Sequence, residues 1–274
     1  MGWRLPSRQC DDALTHSGFR NDTETVMSRD DTLLTRRRFI AVTGTIAAGS
    51  LVVAGLPLIA RAAESGAQKI RIGIVGSGNV GSALGRSWAE AGYPVMFSSR
   101  HLENDKALAA DIGANASAGT PEEATSFGDV VLFAVPYRAL PELGKALAIQ
   151  LKGKVVIDAC NPFPSRDGDI ANWAREKGAG LATAELLAGA RIVRAFNAVG
   201  AARMGAAHES PRRYGMPIAG DDADAVEIAS RLIRDIGYEP ILIGGLEKGK
   251  FLIPGSPLSG EHSPEEVRNI AAGL

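Results

Sequence analysis

Cysteine is scarce: the 274 residues hold two, Cys10 and Cys160. A pair this sparse offers no disulfide framework, and loss of the N-terminal segment would leave Cys160 with no partner within the chain. Cys160 stands in an apolar run, VVIDAC, where a buried filler role is expected over a reactive thiol. Histidine is nearly as rare, with four in the chain, and no Cys/His cluster has metal-ligand spacing. No metal is therefore expected. Aromatic residues make up 5% of the chain, and beyond residue 62 no basic stretch is interleaved with them. That argues against a nucleic-acid partner. Charge is close to balanced at −1, and the chain shows neither internal repeats nor a low-complexity linker.

What is present begins with an unusual N-terminal segment. Thr35-Arg36-Arg37-Arg38-Phe39-Ile40 places an arginine pair before an apolar, Gly- and Ala-rich run over residues 39–60 that includes Pro57. Ala60-Arg61-Ala62 then supplies small residues at the spacing a signal peptidase reads. The layout resembles a twin-arginine export signal more than a Sec signal, whose core is shorter and greasier. It implies the twin-arginine machinery as a partner and a periplasmic destination. An uncleaved anchor explains the same run, because about 20 apolar residues can span a bilayer; membrane contact is expected only in that way. Translation is expected to start at Met27, leaving residues 1–26 without a role. The domain expectation is a leader over 1–62, a nucleotide-binding domain over 63–251 and a C-terminal tail over 252–274.

Past the leader, short apolar runs alternate with helical patterns. Strands are expected over 69–75, 94–98, 129–135 (DVVLFAV) and 154–159 (KVVIDA), with a weaker one over 114–116. Helices are expected between them over 80–91, 103–112 and about 140–151. Such alternation implies parallel strands joined by right-handed helical crossovers. Residues 161–169 (NPFPSRDGD) read as a loop, 191–197 (RIVRAFN) as a strand and 216–219 as a short strand. A helix over 222–236 ends at Gly237, and a last strand covers 240–243. One short acidic helix is expected over 264–271. The fold class is α/β: a doubly wound Rossmann-type parallel sheet with a small C-terminal α/β extension on the same sheet.

Gly76-Ser77-Gly78-Asn79-Val80-Gly81 falls between a strand and a helix, the context that gives G-x-G-x-x-G its meaning. Gly76 permits the tight turn, Gly78 lets a pyrophosphate approach the backbone, and Gly81 lets the helix pack on the sheet. N–H groups of the first helical turn then face the phosphates. About 20 residues on, an NAD-preferring unit places Asp or Glu for the ribose hydroxyls. Here the stretch reads Met96-Phe97-Ser98-Ser99-Arg100-His101. Two hydroxyls and a guanidinium suit a 2′-phosphate, so NADP is favoured over NAD. A solvent-facing strand end explains the same residues without a ligand.

At these residues the sequence resembles the NADP oxidoreductases that use the deazaflavin coenzyme F420. IGIVGSGNVGSALG and FSSR match the family's opening, and VLFAVP (131–136) its nicotinamide-side strand. RAFNAVGA (194–201), PIAGDDADA (217–225) and IRDIGYEPILIGGLEKGKFL (233–252) resemble its later half. The resemblance implies that Ser77, Gly78, Asn79 and Val80 contact the pyrophosphate, and Ser99 and Arg100 the 2′-phosphate. Ala134, Val135 and Pro136 would flank the ribose and nicotinamide; Asn197 and Val199 would line the far wall, where ordinary strand-end packing accounts for them equally. The family's further basic residue after the Ser-Arg pair has a displaced counterpart in Lys106. Archaeal members carry a longer hydrophobic C-terminal helix, whereas this chain ends in PGSPLSGEHSPEEVRNIAAGL. A homo-oligomer is left open.

Hydride transfer between a nicotinamide and a flavin-like ring asks for stacking and water exclusion more than for side-chain chemistry. No catalytic residue is therefore assigned. A carbonyl reductase should instead show a positioned lysine, histidine or tyrosine. His101 and His208 read as surface residues, Lys248 and Lys250 as a solvated face. Arg212 and Arg213 read as a solvated loop, with an anionic cofactor tail as the alternative. The expected activity is an NADP(H)-dependent oxidoreductase whose small-molecule electron acceptor or donor is F420, a flavin or a quinone-like compound. Two alternatives stand beside it. One is a reductase of imines or carbonyls, against which counts the lack of a large helical C-terminal domain. The other is an NADP-binding sensor or accessory protein without turnover.

Overall fold

A computed structural model describes residues 69–205 and 212–274; the export-signal reading, Met27, Cys10 and His208 fall outside them. Strand β1 (Ile72–Val75) is followed by α1 (Asn79–Glu90), β2 (Val95–Ser98), α2 (Leu102–Ile112) and β3 (Ala116–Ala118). Helix α3 (Pro121–Phe127) leads to β4 (Val130–Phe133). Helices α4 (Leu140–Ala146) and α5 (Ala148–Leu151) lead to β5 (Val155–Asp158). Then come α6 (Pro164–Asp167), α7 (Asp169–Lys177), α8 (Ala179–Leu186) and β6 (Arg191–Arg194). The last elements are α9 (Ala201–Met204), β7 (Gly215–Gly220), α10 (Ala223–Asp235), β8 (Glu239–Leu242) and α11 (Pro264–Ala272).

Among the described residues, eight strands form one sheet in the order β3-β2-β1-β4-β5-β6-β7-β8. Strands β1 to β6 run parallel, and the chain switches direction of travel across the sheet between β3 and β4. A crevice opens outside the carboxyl ends of the strands at such a switch point, here β1 and β4. The fold is a doubly wound Rossmann-type α/β sheet. Its extension joins the same sheet with reversed polarity: β7 is antiparallel to β6, pairing Val193 with Gly220 and Arg194 with Ala219, and β8 is parallel to β7.

Both faces of the sheet are covered, which explains why its central strands are apolar throughout. Val130 and Leu132 of β4 join one core, with Trp88 of α1 and Leu232 and Ile233 of α10. Val131 and Phe133 of the same strand join the other, with Leu140, Ala182 and Leu187. Successive side chains leave opposite faces of a strand, so one heptapeptide feeds two cores. Trp88 is fully buried, and its indole N–H donates to the Leu232 carbonyl at 2.9 Å, joining α1 to α10. Residues 252–274 are packed rather than trailing. Leu252, Leu258 and Val267 form a third cluster with Ala219 and Ile241.

Several expectations shift. The weak strand predicted at 114–116 is β3, two residues later. The helix predicted over 140–151 breaks at Leu147 into α4 and α5. Residues 161–169 are not all loop: Pro164 opens α6, because proline suits a first helical position even though it signals a turn elsewhere. The strand predicted to Asn197 stops at Arg194, since Phe196 takes a left-handed φ of 68° that no strand allows.

Candidate functional site

Three glycines of the turn after β1 serve different ends. A Cβ on Gly81 would stand 1.9 Å from the Gly76 carbonyl oxygen, so α1 can cross the turn only without one. Gly76 has φ 104° and would place a Cβ 2.5 Å from the Ala134 carbonyl oxygen of the β4 segment. The fold demands both. Gly78 is different: its φ is −67°, and a Cβ there would meet nothing within 4 Å. Nothing among the described residues asks for glycine at this position, which lies at the amino end of α1. That helix has no side-chain cap and no acid in its first turn. Its first N–H groups, which lack intrahelical partners, and its dipole are available to an anion that can come close over Gly78. The turn thus fits a pyrophosphate.

A cleft of about 820 Å³ opens beside this turn. It gathers Gly76, Ser77 and Gly78 from the turn, Ser98, Ser99 and Arg100 from the end of β2, and Ala134, Val135 and Pro136 from the end of β4. Nine of the predicted residues are therefore brought together. Asn79, Val80 and Gly81 form the first turn of α1 and do not line the cleft. Asn197 and Val199 are buried beyond β6, also off the cleft.

Sequence reasoning missed the opposite wall, built by Ala139, Glu142, Leu143 and Ala146, with Arg138 just before them. Their i, i+3, i+4, i+7 spacing, from the N-cap Ala139 along one face of α4, was available as a signal. His101, Asn104 and Pro121 also reach the cleft.

At the end of β2 the hydroxyls turn inward. Ser98 Oγ donates to the Ile74 carbonyl at 2.6 Å. Ser99 Oγ donates to Asp105 Oδ2 at 2.8 Å and accepts the His101 N–H at 3.0 Å. Ser77 Oγ, in the glycine turn, donates to Asp105 Oδ1. Asp105 comes from the first turn of α2 and is 1% exposed. Lys106 pairs with Glu103 at 2.9 Å and does not line the cleft, which Asn104 reaches instead. Arg100 is exposed and, among the described residues, pairs with no acid. It is the uncommitted cation of the predicted set.

A second polar cluster sits at the carboxyl ends of β5 and β6. Arg194 and Asp158, both fully buried, pair at 2.6 Å. Arg194 also donates to the Cys160 carbonyl at 2.9 Å and the Leu252 carbonyl at 3.0 Å. Asn197 donates to the Cys160 carbonyl at 3.2 Å, and its own carbonyl accepts from Asn161 at 2.8 Å. Its Oδ1 is buried without a partner among the described residues. Burial, and Asp158 alongside, push the Cys160 thiol well up, so it stays protonated. The Tyr137 hydroxyl is likewise pushed up by burial and bonds Thr183 at 3.1 Å. Neither is placed to exchange protons with a ligand in the cleft.

Residues 71–162 match the family described as NADP oxidoreductase, coenzyme F420-dependent. The F420-dependent NADP reductase of Methanothermobacter thermautotrophicus is 29% identical over 201 residues, 68% of this chain and 85% of that one. The metalloreductase STEAP3 of Rattus norvegicus is 28% identical over 180 residues, covering 66% of this chain and 35% of the relative. A crystal structure of a hypothetical protein from Sinorhizobium meliloti superposes with a TM-score of 0.61 and 27% identity, over 69% of this chain and 93% of that chain.

Proposed function

We propose that this protein is an NADP(H)-dependent oxidoreductase that transfers hydride between the nicotinamide and a flavin-like acceptor. One observation carries the reading. The glycine turn and Arg100, which pairs with no acid among the described residues, line a single cleft, and no acid from the end of β2 faces it. The family match over residues 71–162 and the two named reductases support it. The bound dinucleotide supplies the hydride chemistry.

The chain's own residues hold and orient that cofactor. The amino end of α1 receives the pyrophosphate over Gly78, where its dipole offsets negative charge. Arg100 offers the 2′-phosphate a planar fork of donors. Ala134, Val135 and Pro136 give the ribose an apolar wall next to β1. No side chain needs to hold a transferred proton, in keeping with the uncharged Cys160 and Tyr137 behind the site.

Arg100→Ala should weaken NADPH on the order of tenfold or more and leave NADH within about twofold, as befits loss of a charge-assisted contact. Isothermal titration with each nucleotide measures this. Equal affinity for both nucleotides in wild type and variant would sink the assignment. An NADPH-oxidation screen with F420, flavins and quinones then tests turnover; silence with every acceptor turns the reading towards a sensor. The chain is further proposed to reach the periplasm by the twin-arginine route, which carries proteins already folded around a cofactor. Replacing Arg36 and Arg37 together with lysine should keep it in the cytoplasm, as fractionation and immunoblotting would report.

A further inference from the structure

Building on the NADP reading, we propose that Asp105 is a specificity-determining residue. By holding the hydroxyl protons of Ser77 and Ser99, it sets how strongly the cleft prefers a 2′-phosphate to a free 2′-hydroxyl. A carboxylate only accepts, and each serine has one proton to give. Both oxygens of Asp105 are taken by serines, one from the glycine turn and one from the end of β2. Ser99 Oγ also accepts the His101 N–H, so it turns no proton towards the cleft that it lines.

A 2′-phosphate arriving here meets an oxygen without a proton, with a buried carboxylate directly behind it. Both features oppose the phosphate, and Arg100 must outweigh them. A ribose 2′-hydroxyl fares differently, because it can donate to the remaining lone pair of Ser99 Oγ. The Ser-Ser-Arg sequence therefore overstates the selectivity of the site. Asp105 holds it down without touching the nucleotide.

The test uses the isosteric variant Asp105→Asn. An amide accepts from one serine through Oδ1 and donates through Nδ2 to the other. Ser99, once it receives, is released to donate its proton to the phosphate, and the negative charge is gone. The ratio of NADPH to NADH affinity should rise about tenfold, a gain of the size expected from one charge-assisted hydrogen bond. Ser99→Ala provides the second arm: NADPH affinity should stay within about twofold, since that hydroxyl gives the phosphate nothing in the wild type. NADH loses the oxygen its 2′-hydroxyl donates to, so the ratio should rise or hold and not fall.

Calorimetric titration of the full chain with NADPH and with NADH reads both arms, and melting temperatures report any purely structural loss. A structural role alone would weaken the two nucleotides together and leave the ratio unchanged. An unchanged ratio in Asp105→Asn, or a tenfold fall in Ser99→Ala, overturns the inference while a selective wild type keeps the cofactor reading. A wild type indifferent to the phosphate that gains selectivity in Asp105→Asn has the reverse meaning. Binding of neither nucleotide overturns both.

Discussion

Gly78 and Gly81 stand one helical turn apart, yet replacement by alanine should separate them cleanly. Gly81→Ala forces a methyl to within 1.9 Å of a backbone oxygen, so about 3 kcal/mol or more of stability should be lost. Gly78→Ala meets open space and exchanges one modest N-cap for a poorer one, costing under about 1 kcal/mol. Its effect should fall on the nucleotide, with affinity down on the order of tenfold as the approach to the α1 N–H groups narrows. Urea denaturation and nucleotide titration on the two variants make the comparison. A Gly78→Ala protein that binds NADPH normally would remove the pyrophosphate from this turn. The glycine pattern was legible as sequence because each position follows from backbone geometry. Asp105 was not, since it lies six residues past Ser99 and meets Ser77 only through the packing of α2 against the turn.

Elements whose boundaries are written in side chains were the easiest to anticipate. Helix α10 begins at Asp222, which accepts the Ala225 N–H at 2.9 Å and takes both Nε and Nη2 of Arg191 from β6. The Arg191 hydrogen bonds hold the Asp222 carboxyl down to about 2, below its ordinary 3.8. A carboxyl depressed in the folded state contributes stability that is complete above 3.8 and lost as pH falls towards about 2. Asp222→Asn should therefore flatten the acid side of the melting-temperature profile across that window; a profile as steep as wild type would show the pair to be inert. Helix α3 starts with a reciprocal capping box between Thr120 and Glu123, written in the sequence as T-P-E-E. Helix α8 (AGLATAEL) gave no such handle: small residues on every side leave no apolar stripe, and only tertiary packing reveals it. The apolar strands DVVLFAV and KVVIDA needed nothing beyond their composition, because burial on both faces suppresses alternation.

At the scale of the molecule, the Arg194–Asp158 pair joins β5, β6 and the segment carrying Leu252. Both partners are fully buried, so removing one strands a charge away from water. Arg194→Met should cost ~3–5 kcal/mol, and Asp158→Leu in the same chain should recover part of that loss. Calorimetric melting of the single and double variants would decide; additive losses would mean the two groups act independently. The sequence pattern carried the parallel strands β1 to β6 and the cofactor edge, whereas the polarity of β7 emerged only from the assembled sheet.

That polarity has a further consequence. Strand β7 pairs with β6 through Val193 and Arg194 alone, opposite Gly220 and Ala219, so residues 215–218 run on past the end of β6, with β8 alongside them. Rossmann-type enzymes commonly diversify by lengthening loops at the carboxyl edge, but beyond β6 this edge is continued by paired backbone. Changes of substrate range by insertion should therefore be tolerated between β5 and β6, where short helices already interrupt the chain, and resisted along β7.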